Sequence, residues 1–328
     1  MFEEKTINSF LCPKCKSDLK ALFNNNINEN FKIICNQCST KFNIKDNIPR
    51  FVNEENYADN FGYQWNLYNQ TQLDSKSNLN LSSNRFFYVT KWEKDLSGQK
   101  ILEAGCGMGR FTEVAIQTNA TVFSFDYSNA VDANYKNNGD SQNLHLFQAN
   151  IFALPLKNNL FDKIFCLGVL QHTPDPKKAF FSLIPTLKKG GEICIDIYDF
   201  SFRTIFNLKY WFRPLTRLLN PNKLYKIIKL LVPILFPIKM FITEKIPFGK
   251  YLAFFIPIAY HKGFIPEMNN LSYDELVEWS ILDTFDKYSP KYDKPKTIKT
   301  VRKWFEKAGL TNIKIAYGPN GIIAKGEK

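Results

Sequence analysis

No stretch of this chain runs apolar for the roughly 18 residues that a membrane-spanning helix requires, so no spanning segment is expected. The opening MFEEKTINSF has neither a basic lead nor an apolar core, so no secretory signal is read and a cytoplasmic protein is expected. Histidine is scarce, three in 328 residues, which confines imidazole chemistry to few positions. The chain shows no internal repeat and no low-complexity tail. Cysteine is present in an odd number, seven, and four of the seven stand in two tight pairs. That pattern suits a metal site in a reducing compartment better than a disulfide framework.

Hydrophobic residues make up 45% and charged residues 23%, the balance of a globular protein with one large core or two smaller ones. Positive charge is in excess, +12 overall, and it is concentrated. Residues 201–262 hold eleven Lys and Arg, among them Arg203, against the single acid Glu244. The first sixty residues hold eight of each sign. Whatever the basic excess binds, it binds through 201–262.

The cysteine pairs are Cys12-Pro-Lys-Cys15 and Cys35-Asn-Gln-Cys38, with nineteen residues between. This spacing predicts a zinc ribbon over 1–52, in which two knuckles supply four thiolates. With four cysteine ligands no coordination position stays open, so the zinc is structural; a segment this small needs the metal to fold. Residues 53–98 are polar and aromatic and predict a helical cap, with Ser83 as N-cap of a helix that Gly98 stops.

From Gln99 strands and helices alternate. KILEA, TVFSFD, LHLFQAN, FDKIFCLG and EICIDIYD read as strands, and PKKAFFSLIPTLKKGG reads as a helix ending in glycine. The core over 99–200 is resumed at 297–328 by a helix and a hairpin turned at Gly318-Pro319-Asn320-Gly321. The fold class is α/β, a mostly parallel sheet with helices on both faces and an antiparallel edge hairpin. Residues 201–296 form a large insertion after the fifth strand, where Pro233 and Pro237 are expected to break or kink any helix.

ILEAGCGMGRF, residues 101–111, closes the first strand with glycines at 105, 107 and 109. Ligands of such sheets bind beyond the strand ends where strand order reverses. A dinucleotide fingerprint needs Gly or Ala at position 110, which is Arg110. Glu103 precedes the loop, and Asp126 ends the second strand seventeen residues after Gly109, where an acid grips ribose hydroxyls. An acid ahead of the loop suits a ligand bearing an ammonium group.

On LEAGCGMGR, FSFD and FQANIFALPLKNNLFDKIFCLGVLQHTPDPKKAF the chain resembles the class I S-adenosylmethionine-dependent methyltransferases, whose sheet is Rossmann-like. The resemblance implies that Glu103 holds the methionine amino group, that Gly105, Cys106, Gly107 and Gly109 pass beneath the cofactor, and that Asp126 with Tyr127 binds the ribose. It also implies that Asn150 and Ile151 meet adenine; the family usually has Asp at the position of Asn150. The first fifty residues resemble the zinc ribbon of the small activator subunit that partners tRNA and protein methyltransferases.

Methyl transfer is an in-line displacement in which positioning can supply about 7–11 kcal/mol. A base matters only where the acceptor loses a proton. Candidates are His172 after the fourth strand, and Asp196 and Asp199 on or after the fifth; each also fits a satisfied polar group. In the cap, Gln64, Trp65 and Tyr63 are placed to shield the methionine end, and Arg85 to meet its carboxylate. Asp283, Asp286, Tyr288, Tyr292 and Asp293 suit sugar hydroxyls or, equally, a hydrogen-bonded lid. Residues 201–262 fit three roles: contact with the inner face of an anionic membrane, an RNA footprint, or a lid with its lysines in water. The expected function is O-methylation of a small molecule, a sugar or lipid-linked glycan precursor. The alternatives are tRNA or rRNA methylation and a non-catalytic binding module. Oligomeric state is not legible.

Overall fold

A computed structural model describes residues 4–22, 32–52, 57–77, 79–201, 204 and 206–328; Arg203 lies outside them. The amino-terminal part carries four short strands, β1 (Leu19–Leu22), β2 (Lys32–Cys35), β3 (Lys41–Lys45) and β4 (Ile48–Arg50), each antiparallel to the next. The cap follows with α1 (Asp59–Leu67) and α2 (Leu81–Thr90). Ser83 does not cap α2 with its own side chain. The Asp74 carboxylate accepts from the Ser82 and Ser83 N–H groups at 2.9 and 2.7 Å, so the cap comes from outside the helix. The helix also stops short of Gly98, at Lys91 in a left-handed conformation.

The core runs β5 (Lys100–Ala104), α3 (Arg110–Ile116), β6 (Thr121–Asp126), α4 (Ala130–Asn138), β7 (Leu144–Gln148), β8 (Phe161–Leu167), α5 (Pro176–Leu183) and β9 (Leu187–Ile197). Here α5 ends seven residues before the glycine pair. Pro185 sits in a short 3-10 turn, and Leu187 already begins β9. After the insertion come α9 (Ile298–Lys307) and the hairpin β10 (Thr311–Gly318) and β11 (Gly321–Glu327).

All eleven strands share one sheet in the order β1-β2-β3-β4-β7-β6-β5-β8-β9-β11-β10. The five strands from β7 to β9 are parallel, and β11 and β10 close one edge antiparallel. Strand order reverses at β5, so its carboxyl end opens the crevice where ligands of such sheets lie. The ribbon joins the opposite edge through β4, where Phe51 N–H donates to the Gln148 carbonyl at 2.9 Å. Phe10 of the ribbon packs on Phe51, Phe147 and Phe123, centroids 5.1–6.2 Å apart. Ribbon and sheet therefore share one apolar cluster.

The insertion leaves after β9 and returns beside it, because Phe200 N–H donates to the Lys296 carbonyl and Lys296 N–H to the Tyr198 carbonyl. It holds α6 (Leu208–Thr216), α7 (Pro221–Lys245) and α8 (Tyr273–Tyr288). Contrary to the expectation from proline, α7 is one unbroken 25-residue helix. Pro233 and Pro237 lie on its exposed side, as do Lys229 and Pro233, whose carbonyls they leave without a helical donor. The inner stripe of Leu224, Ile228, Val232 and Phe236 packs against α8 and keeps the helix going through its prolines.

Candidate functional site

The glycine loop lies between β5 and α3, at the reversal of strand order. Gly109 has φ +94 and begins α3, and a Cβ there would strike Asn134. A Cβ on Gly107 would stand 3.2 Å from the Trp65 indole nitrogen, so α1 of the cap lies directly over the loop. The cap is clasped from its other side by the insertion. Tyr68 and Tyr225 share a hydrogen bond of 3.0 Å, and Asn60 donates to Ser289 at 3.2 Å.

Glu103 is buried. Its Oε2 accepts from the Thr112 and Ser124 hydroxyls at 2.5 and 2.6 Å. Its Oε1 is equally buried and has no hydrogen-bond partner among the described residues. Burial pushes its carboxyl up to about 7. Gln64, next to Trp65, is buried with both amide atoms unpartnered among the described residues, and so is Gln171 after β8. Buried polar atoms are nearly always satisfied, so unpartnered groups on both sides of a glycine cradle mark a place for a polar ligand.

Asp126 ends β6. Its Oδ2 accepts from Gly107 N–H at 3.0 Å and its Oδ1 from Ser128 N–H at 2.8 Å, which ties loop and acid together. The Tyr127 ring packs at a tilt on Tyr57, centroids 4.9 Å apart. Asn150 accepts from Phe152 N–H at 3.0 Å and caps the turn that begins at Ile151. Cys106 is buried behind the loop.

Beyond the ends of β8 and β9 lies a dense polar cluster. Asp196 is 1% exposed; its Oδ2 meets Arg85 at 2.6 Å and its Oδ1 accepts from Gly168 N–H at 2.5 Å. Both its oxygens are thus engaged, and Arg85 is paired with an acid of the sheet. His172 contacts Phe61 and Tyr198 edge-on or tilted at 5.2 and 5.4 Å. Its Nδ1 lies 3.0 Å from the Tyr292 carbonyl, which can only accept, so Nδ1 carries the proton and Nε2 a lone pair. Burial lowers this imidazole to about 4, so it is neutral at pH 7. Asp199 lies apart, at the neck of the insertion, bridged through its backbone to Lys296.

The insertion contributes residues that the sequence did not single out. Lys209 and Arg213, one turn apart on α6, point inward. Lys209 meets Asp293 at 2.8 Å and lies over the Tyr198 ring at 4.5 Å, while Arg213 donates to the Pro290 carbonyl at 2.6 Å. On α8, Asp283 holds His261 at 2.5 Å and Gln72 at 3.2 Å. Asp286, one turn on, is pushed up to about 7, first by burial and then by Asp283; Lys209 and Arg213 oppose the shift. Tyr288 is buried, and its hydroxyl has no hydrogen-bond partner among the described residues. Arg85 is thus paired with Asp196, and Lys209 and Arg213 with Asp293, so these charges are met within the protein. Such a balance suits a neutral polyhydroxyl ligand better than an anion.

At the far edge of the sheet Cys12, Cys15, Cys35 and Cys38 place their sulfurs within 4.8 Å of one another. The Gln37 and Cys38 N–H groups both donate to the Cys35 sulfur at 3.4 Å. Lys16 and Ser39 close the two knuckles in left-handed conformations. Four converging thiols with backbone donors on a sulfur fit a tetrahedral zinc.

Residues 102–195 match a family described as a methyltransferase domain. The chain is 28% identical over 128 residues to the ubiquinone biosynthesis O-methyltransferase of Coxiella burnetii, covering 37% of this chain and 55% of that protein. It is 28% identical over 127 residues to the tRNA U34 carboxymethyltransferase of Nautilia profundicola, covering 34% and 42%. The chain thus spans about half the length of the curated relatives it matches. Among solved structures it is similar to a complex of a methyltransferase activator with a putative methyltransferase from Haloferax volcanii. The identity there is 12%, the TM-score 0.45, and the coverage 84% of this chain and 98% of that one.

Proposed function

We propose that this chain, whose residues 102–195 carry a methyltransferase domain, transfers a methyl group from S-adenosylmethionine to a hydroxyl of a polar small molecule, a sugar or lipid-linked glycan precursor. The observation that carries the donor is the unpartnered, buried Oε1 of Glu103 beside the glycine loop. When bound, the cofactor supplies an electrophilic methyl on a sulfonium. Glu103 would accept from its ammonium group, Asp126 from the ribose hydroxyls, and Asn150 and Ile151 would meet adenine. Trp65, already over the loop, and Gln64 beside it in the sequence would exclude water from the methionine end.

The balanced cluster under the insertion supports the acceptor class. Asp286 is the proton acceptor in this reading, because a base is most useful with a pKa near the working pH. His172 would accept a hydrogen bond at Nε2 from the acceptor, and Asp196 holds Arg85 and Gly168 in place. The four cysteines would hold a structural zinc. RNA ranks second as acceptor, because the basic surface of the insertion is interleaved with exposed aromatic and aliphatic side chains.

Titration calorimetry with S-adenosylmethionine tests the donor; absence of binding to the zinc-loaded chain would sink the enzyme reading. Transfer of labelled methyl to a panel of nucleotide sugars, lipid-linked sugars and bulk tRNA tests the acceptor. Label in tRNA alone would overturn the sugar reading.

A further inference from the structure

The helix α6 is built inside out. Its charged residues Lys209 and Arg213 are buried, while Trp211, Leu215 and the following Leu218 are 66, 70 and 78% exposed. The neighbouring α7 has two apolar stripes. One packs inward through Leu224, Ile228, Val232 and Phe236. The other runs along the opposite side through Ile227, Leu230, Ile234, Ile238 and Phe241, all exposed. A surface helix in water has one apolar stripe and a polar back; here the back is apolar too. Beyond α7, Phe248 is held in a left-handed conformation that a bulky side chain rarely adopts, and stands 82% exposed beside the exposed Tyr251 and Phe255. Both α6 and α7 pack on α8, so their other sides form the outer surface of the insertion.

We infer that this outer face of the insertion, built from α6, α7 and the turn at 248–255, docks onto an anionic lipid bilayer. The occupant follows from charge. Exposed Lys223, Lys226, Lys229, Lys245 and Lys250 frame the apolar stripe, as in helices that lie at a membrane interface with aliphatic bodies in the acyl boundary and cations at the headgroups. The single acid of the segment, Glu244, is already held by Tyr260 at 2.6 Å and Lys262 at 3.7 Å. A second copy of the chain across a two-fold axis would set these lysines against themselves. An RNA would leave the exposed Trp, Leu and Ile side chains against phosphates. No helix among the described residues is long and apolar enough to cross a membrane, so the segment lies on the surface. Docking goes beyond the methyl-transfer reading and is measured without cofactor, so the two stand or fall separately.

The test is co-sedimentation of the full chain with vesicles of phosphatidylcholine alone and of equimolar phosphatidylcholine and phosphatidylglycerol. Binding to the anionic vesicles and not to the neutral ones is expected. Replacing Lys223, Lys226, Lys229 and Lys245 with Gln should weaken it at least about a hundredfold, since each surface cation near such a membrane is worth about a fivefold change. Leu230→Ser with Ile234→Ser and Phe241→Ser should weaken it at least about tenfold. Because any variant can misfold, contact is read first in the unaltered protein, where brominated lipid should quench tryptophan fluorescence; Trp211→Phe should then remove most of that quenching. Equal binding to neutral vesicles, no binding, or a dimer in sedimentation velocity that the triple serine variant dissolves would each overturn the inference.

Discussion

Arg85 of the cap and Asp196 of the fifth core strand meet at 2.6 Å, with the carboxylate side chain only 1% exposed. The pair fastens α2 across the carboxyl end of the sheet. Removing one partner of a buried pair costs about 3–5 kcal/mol, because the other charge stays buried. Arg85→Met should therefore lose stability of that order in urea unfolding. Adding Asp196→Asn in the same chain should recover part of the loss. A catalytic base at Asp196 would behave differently: Asp196→Asn would then abolish turnover in a protein of unchanged stability.

Glu103 makes stability depend on pH in a stated direction. Its folded pKa, about 7, lies above its ordinary value of 4.5, so the folded state holds the proton more tightly. Stability is then fully present below pH 4.5 and falls as pH rises to about 7, by on the order of 3 kcal/mol. His172, lowered to about 4, acts in the opposite sense between pH 4 and 6.5, so the comparison has to be with a variant. In thermal melts of ligand-free protein, Glu103→Gln should gain on the parent as pH rises to 7 and should bind S-adenosylmethionine more weakly. Parallel pH curves for the two proteins would remove Glu103 as a buried acid of raised pKa.

The sheet was legible because its signals are local. Alternating strand and helix periodicity, Gly109 at the start of α3 and Asp126 at the end of β6 each follow from a few neighbouring residues. The four thiols were legible for the same reason. The inward turn of Lys209 and Arg213 was not. Periodicity shows that α6 has two unlike faces, but not which face meets the protein, and composition favours placing lysine in water. The unbroken α7 was missed because proline's cost is local, whereas the packing of Leu224, Ile228, Val232 and Phe236 that outweighs it is tertiary. Asp286 stood out only as one of several acids; its raised pKa comes first from burial, which is set by tertiary packing, and then from Asp283, three residues earlier, while Lys209 and Arg213 of α6 work against it.

Asp286 is expected to set the lower limb of the pH–rate profile. Its carboxyl, at about 7, must be ionised to take a proton, so the rate should rise through pH 7. Asp286→Asn should cut labelled methyl transfer to a hydroxyl acceptor by about 10²–10⁴-fold and abolish that limb. His172→Gln should leave the limb in place, since His172 is neutral across that range. A limb that vanishes with His172→Gln and survives Asp286→Asn would reassign the proton to the imidazole.

Zinc is expected to act on the cofactor end of the sheet as well as on the ribbon. The strand β4 pairs with β7 at Gln148, two residues before Asn150, and Arg50 reaches both Gln148 at 3.2 Å and Asp132 of α4. Phe10, two residues before the first thiol, is buried against Phe147 of the same strand. Metal loss should therefore loosen β7, although no zinc ligand touches the glycine loop. Elemental analysis should find one zinc per chain, and Cys35→Ser should lose it. Hydrogen exchange on the chelated protein should then speed up at residues 144–148 as well as at 32–50, with a several-fold weaker grip on S-adenosylmethionine. Faster exchange confined to the ribbon, with cofactor affinity unchanged, would show that the ribbon and the core are energetically independent despite their shared apolar cluster.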